Sequence, residues 1–168
     1  FWRRNMPKGM FLRSACDWHL DPQNVDTIES YLQSQQKTPG DVEPLSLDFY
    51  LSYCDWFQKQ KRIQPFPVYI QTLERTNDRF VATAKTGDVI NARRVVLAPG
   101  FKHFAHLPAD LKAKLSANRY QHTCDFIDFS DARNKRYLII GGRQSAFEWA
   151  ALLQEAGAAA VHVSYRHP

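Results

Sequence analysis

Along the chain, the spacing of apolar positions changes character several times. Residues 1–22 are irregular, with "MPKGM" forming a turn and "LDP" an extended step before Pro22. Ile28, Tyr31 and Leu32 then share one face of a short helix starting near Asp26. Asp26 and Glu29 supply a D-x-x-E pair of capping-box type at its start. "KTPGDVEP" ends it, and a longer helix is expected from about Ser46 through "LDFYLSYCDWFQKQ". Leu47, Tyr50, Leu51 and Cys54 keep the i, i+3, i+4, i+7 rhythm there, and Phe49, Tyr53, Trp56 and Phe57 widen the buried face. A helix this aromatic reads as core.

Beyond Pro65 and Pro67 the period falls to two. "VYIQTLER", "RFVATAKT" and "DVINA" read as strands joined by "TND" and "TGD" turns. Val95, Val96 and Leu97 form a continuous apolar run, the pattern of a strand covered on both faces. Pro99 holds Ala98 extended, and Gly100 allows a sharp turn. A weak helix is expected at "PADLKAKL" within a connecting segment. From Arg136 a buried strand "YLII", a helix "SAFEWAALLQEAG" closed by Gly157 and a second strand "AVHVSY" fit in about 30 residues, the size of one βαβ unit. A two-stranded parallel sheet leaves apolar surface bare, so this unit is expected to be incomplete.

Composition narrows the classes. Apolar residues make up 44% and aromatics 13% of the 168 residues, enough for a packed core. The net charge of +5 admits anionic partners, but "RRN", "KQKR" and "ARR" are short and read as solvated faces. Cys16, Cys54 and Cys124 lie far apart with no C-x-x-C, which points to reduced thiols in a cytoplasmic protein. Apolar runs fall far short of the roughly 20 residues of a membrane span, and no membrane partner is expected. The start lacks both a secretory core and an initiator Met, so an upstream portion is expected.

The stretch "YLIIGGRQSAFE" carries the chemistry. Dinucleotide turns of the form G-x-G-x-x-G/A use the first small residue to turn, the second to let backbone approach a pyrophosphate and the third to pack helix on strand. Here Gly141, Arg143 and Ala146 occupy those positions, so the middle one departs from the rule unless its guanidinium itself binds phosphate. Ser145 stands at the helix start, where free amides can receive an anion. Arg166 closes the second strand about 25 residues on, where an acid suits NAD and a base suits the 2′-phosphate of NADP. His162 and His167 nearby read as surface residues.

Several stretches, taken in order, resemble the NADPH-dependent flavoprotein monooxygenases and related oxidoreductases with two dinucleotide-binding domains. "LIIGGRQSAFEWAALL" is similar to their NADPH turn, and "ARRVVLAPGF" to the strand and A-T-G segment returning to FAD, with Pro99 in place of Thr. "RYQHTCDF" resembles the segment before the NADPH domain and puts His122 near that junction. "MPKGMFLRS" with "DWHLDP" resembles the loop passing the flavin ring, and "DFYLSYCDWF" the helix before the small sheet. The resemblance implies an α/β fold of partial FAD/NAD(P)-binding Rossmann-like domains, with a small antiparallel sheet between the helices and the second nucleotide-binding unit. It implies residues 1–104 as the later part of an FAD domain, 105–135 as connection and 136–168 as the start of the NADPH unit. Ala98, Pro99 and Gly100 would lie near FAD, and Arg13 and Ser14 near its isoalloxazine. Gly141, Gly142, Arg143, Gln144, Ser145, Ala146 and Arg166 would form the NADPH site. The FAD fingerprint itself is absent, so the chain resembles the middle of such an enzyme and alone should bind FAD poorly.

The implied reaction passes reducing equivalents from NADPH to flavin, and then oxygen to a soft nucleophile such as an amine or sulfur in a small-molecule substrate. A reductase or oxidase that never oxygenates, and a non-catalytic NADP-sensing domain, are the alternatives. A nucleic-acid-binding module is a further rival, but no RRM, KH or zinc-finger pattern accompanies the basic charge. Cys16 and His19 lack the second half of a metal site. His103 and His106 read as an exposed hinge. Ser145 lacks the G-x-S-x-G frame of a nucleophile.

Overall fold

The computed structural model describes residues 2–166; the surface reading of His167 lies outside them. Residues fall into two compact units, 58–100 in one and the remainder in the other.

In the larger unit, α1 (Trp2–Asn5), α2 (Ile28–Ser34) and α3 (Leu47–Gln60) gather around a core of Cys16, Ile28, Tyr31, Leu32, Leu45 and Tyr53. The helix start at α2 differs from the sequence expectation. Thr27 is the N-cap and accepts from the Ser30 N–H, while Glu29 stays exposed. The Asp26 N–H is held instead by the buried carboxylate of Asp21, which also accepts from Gln23 and Val25. A carboxylate that fixes three loop amides sets the chain's entry into the helix and displaces the D-x-x-E box. In α3 the deepest residue is Tyr53 rather than the Leu47–Cys54 stripe. Its hydroxyl donates to the Asp26 carbonyl at 2.8 Å and accepts from the Leu20 N–H at 3.0 Å, so a fully buried phenol is satisfied at both ends. Residues 10–12 run antiparallel to 45–47, joined by Leu12 N–H to the Leu45 carbonyl and Leu47 N–H to the Met10 carbonyl. That pairing fixes the loop in which Arg13 and Ser14 follow.

The smaller unit is an antiparallel sheet of β1 (Ile70–Thr76), β2 (Arg79–Ala84) and β3 (Val89–Ala92) in that order, as the alternating pattern predicts. Asn77, with φ +55°, turns β1 into β2, and Gly87, with φ +92°, turns β2 into β3. The continuous run at 95–97 forms no strand. Val96 is 89% and Leu97 77% exposed. A run apolar on both faces needs a neighbour to pair with and a cover on each side, and no described residue supplies them.

The later part of the larger unit carries α4 (Ala109–Lys114) and then the parallel pair β4 (Arg136–Ile140) and β5 (Ala160–Ser164), with α5 (Gln144–Glu155) between them. Gly157, at φ +86°, closes α5 as expected. Residues expected as plain connection contribute to packing here: Phe126, Phe129 and Ala132 join Tyr137, Ile139, Leu153, Ala158 and Val161 in a second core. Strand β4 is half-buried rather than buried throughout. Tyr137 and Ile139 face that core, while Leu138 and Ile140 are 65% and 62% exposed. One helix covers one face of a sheet, and the alternation follows from that.

Candidate functional site

Strand β4 ends at the glycine corner. The Gly141 N–H continues the ladder to the Ser164 carbonyl at 2.9 Å, and its φ of +145° is a backbone state that side chains disfavour. A Cβ on Gly141 would meet only Ala146, at 3.9 Å, so conformation rather than crowding requires this glycine. Gly142 is held by the opposite cause. A Cβ there would stand 2.6 Å from Tyr165 Cβ and 2.9 Å from its Cγ. The steric demand for a second glycine therefore falls at 142, one position before the 143 slot of the G-x-G frame. Arg143 is free to be a large residue because it is the helix N-cap, with extended backbone and its side chain in solvent.

Helix α5 starts without a side-chain cap; only the Arg143 carbonyl is engaged, by the Ala146 N–H at 2.9 Å. Ala146, Trp149 and Leu153 turn inward, and Trp149 Nε1 donates to the Phe126 carbonyl. Gln144, Ser145 and Phe147 face outward. The amides of the exposed Gln144 and Ser145 thus stand at the end of β4, where a dinucleotide diphosphate sits in a βαβ unit. Arg166 follows β5 and is exposed. Neither it nor Arg143 has an ion pair among the described residues.

Two features of the corner escape sequence reading. Tyr165 walls the Gly142 side and sets its ring against Phe147, centroids 6.0 Å apart. Glu148, its side chain 12% exposed, accepts from Gln144 Nε2 at 2.8 Å and from Arg13 Nε at 3.4 Å. Arg13, expected beside a flavin, is thereby brought to the helix of the glycine turn. The Q-x-x-x-E spacing of Gln144 and Glu148 on one helix face is visible in sequence, but the Arg13 contact joins residues too distant for any local signal. Ala98, Pro99 and Gly100 close the smaller unit, all exposed, with Gly100 at φ +71° as its expected turn requires.

An open basin of about 510 Å³ lies away from this corner. Arg3, Arg4, Lys8, Asp128 and Glu155 are among the residues that line it, near the C-terminal end of α5.

The cysteines supply no redox pair. All three are free, and burial, reinforced by the Glu43 carboxylate, pushes the Cys16 thiol up to about 12. Burial also raises Cys54. No group of three metal-ligating side chains occurs among the described residues, and no described helix is long and apolar enough to cross a membrane.

Residues 21–168 match the family described as pyridine nucleotide-disulphide oxidoreductase. The chain belongs to this family. Over 82 residues it is 34% identical to the FAD-dependent urate hydroxylase of Xanthomonas campestris pv. campestris, a stretch covering 48% of this chain and 17% of that protein. The bacillithiol disulfide reductase of Staphylococcus aureus superposes with a TM-score of 0.70 at 21% identity, over 98% of this chain and 46% of that one. The flavin-containing monooxygenase of Stenotrophomonas maltophilia gives a TM-score of 0.71 at 17% identity, over 99% and 47%. At those identities the two structures establish the fold, and the chain spans about half of their length. Family and relatives bear out the flavoprotein resemblance and the partial Rossmann-like architecture with its small antiparallel sheet.

Proposed function

We propose that the protein containing this chain is an FAD- and NADPH-dependent oxidoreductase, a monooxygenase acting on a small molecule with a soft nucleophilic centre. One observation carries the reading: a parallel strand pair whose glycine corner opens onto an uncapped helix start, with an unpaired arginine just past the second strand.

The residues present fit the nicotinamide cofactor. Gly141 supplies the turn and Ala146 the close helix packing, and Gly142 keeps the corner thin against Tyr165. The amides of Gln144 and Ser145 would donate to the diphosphate, and the Ser145 hydroxyl would add a further donor. Arg143 would reach the phosphates from the rim and Arg166 the 2′-phosphate. Arg13 and Ser14, with Ala98, Pro99 and Gly100, would serve FAD. When bound, NADPH supplies reducing equivalents and FAD hands them to oxygen. The three free thiols, Cys16 buried and Cys54 and Cys124 half-buried, suit a cytoplasmic setting.

Anaerobic titration of the complete protein with NADPH tests the proposal. A yellow protein bleached by NADPH, and less readily by NADH, is the expected result; a colourless protein, or one indifferent to both, refutes it. Oxygen uptake that yields only peroxide would assign a reductase or oxidase in place of a monooxygenase. Arg166→Ala should raise the KM for NADPH about tenfold or more, since a charge-assisted bond contributes about 1.5–3 kcal/mol, and leave that for NADH nearly unchanged. Equal effects on both would remove Arg166 from the 2′-phosphate.

A further inference from the structure

Glu148 has no part in the scheme above, yet it joins two segments of that scheme. Its carboxylate lies one turn into α5 and is nearly withdrawn from solvent. Such a group is retained where it has partners, and here it has two. Gln144 Nε2 donates to Glu148 Oε1 at 2.8 Å, and Arg13 Nε points at the same oxygen from 3.4 Å.

Two consequences follow from chemistry. Gln144 is the first residue of α5, and a free side-chain amide at that position could fold over the exposed backbone N–H groups. Tied to Glu148, four residues toward the C-terminus, it stays off them, and no side chain caps the helix. A carboxylate one turn from an anion site would also oppose an incoming diphosphate, and the Arg13 guanidinium offsets that charge. Arg13 is held in turn by the backbone pairing of residues 10–12 with 45–47. Being 70% exposed, Arg13 adds little Coulomb energy to the pair; its weight is in geometry.

We propose that Glu148 is a positioning residue that clamps the Arg13 loop to the first turn of α5, keeping the helix amides open and fixing the spacing between the segments read as flavin-facing and NADPH-binding. This rests on the reading of the glycine corner as the NADPH site.

Two measurements on the complete protein test it. The first needs no cofactor: hydrogen exchange in wild type, Glu148→Ala and Arg13→Ala. Glu148→Ala should speed exchange of the Leu12 amide about two- to fivefold, 136 positions away in sequence, as loss of an ion pair of up to about 1 kcal/mol would. It should also loosen the amides of residues 148–152. Unchanged exchange at Leu12 overturns the clamp. The second follows flavin reduction by NADPH under anaerobic conditions. Glu148→Ala should slow the limiting rate about tenfold with flavin content preserved, Arg13→Ala should slow it at least as much, and the double variant should be no slower than Arg13→Ala alone. Glu148→Gln, which keeps an acceptor for both partners, should restore most of the rate. Additive losses, or a lower melting temperature with an unchanged rate, would reduce Glu148 to a structural role and overturn the proposal. A wild-type protein that NADPH does not reduce removes the NADPH reading, while exchange at Leu12 still decides the clamp.

Discussion

Gly142 and Tyr165 show how a single residue is fixed by another far along the chain. The atom nearest a new side chain at 142 is Tyr165 Cβ, at 2.6 Å, closer than real Cβ atoms approach. Gly142→Ala should therefore lower stability by about 1–3 kcal/mol through overpacking. Trimming the ring does not remove the obstacle, so Gly142→Ala with Tyr165→Ala should remain as unstable as Gly142→Ala. Pairing it with Tyr165→Gly should recover part of the loss, apart from the roughly 0.5–1 kcal/mol that glycine costs near a strand end. Melting temperatures of the four proteins check the order. From sequence, Gly142 sits at an unconstrained position of the fingerprint and Arg143 at a constrained one. The packing reverses this, because the constraint comes from the end of β5 and has no expression in the spacing around the turn.

Among elements, legibility follows the locality of the cause. Helix α3, the two hairpins of β1–β3 and the β4–α5–β5 unit all appear where periodicity and turn residues place them, since each is written into adjacent positions. The Asp26–Glu29 box and the 95–97 strand do not appear. Asp21 took over the first by reaching five residues along to the Asp26 amide. The second depended on partner strands, which a run of three apolar residues cannot specify. Helix α5 allows a direct test of which face matters. Leu153, 2% exposed between Ala132 and Ala158, should cost about 2–5 kcal/mol when changed to Ala. Phe147, 47% exposed and touching only the outer aromatic Tyr165 among the rings, should cost under about 1 kcal/mol. Denaturant midpoints of the two variants would rank them; comparable losses would mean that α5 packs by its other face.

For the molecule as a whole, the titratable groups that burial perturbs upward gather in one place, the aromatic core around α3. Burial raises the thiols of Cys16 and Cys54 and the phenols of Tyr50 and Tyr53. For each, the folded protein holds its proton at a pH where the unfolded chain has released it. Stability is then fully present below the ordinary thiol value and falls as pH rises through the window up to the folded one. For Cys16 that window runs from 9.0 to about 12. One proton of difference gives a slope of about 1.4 kcal/mol per pH unit, so urea midpoints should decline steadily between pH 9 and pH 10.5. Cys16→Ala lowers stability at every pH through lost packing, but it should flatten that decline by up to the Cys16 share. The slope, not the absolute midpoint, is the measurement: an unaltered slope in Cys16→Ala would show that the thiol ionises as readily folded as unfolded. The same protonation keeps Cys16 from acting as a nucleophile at neutral pH.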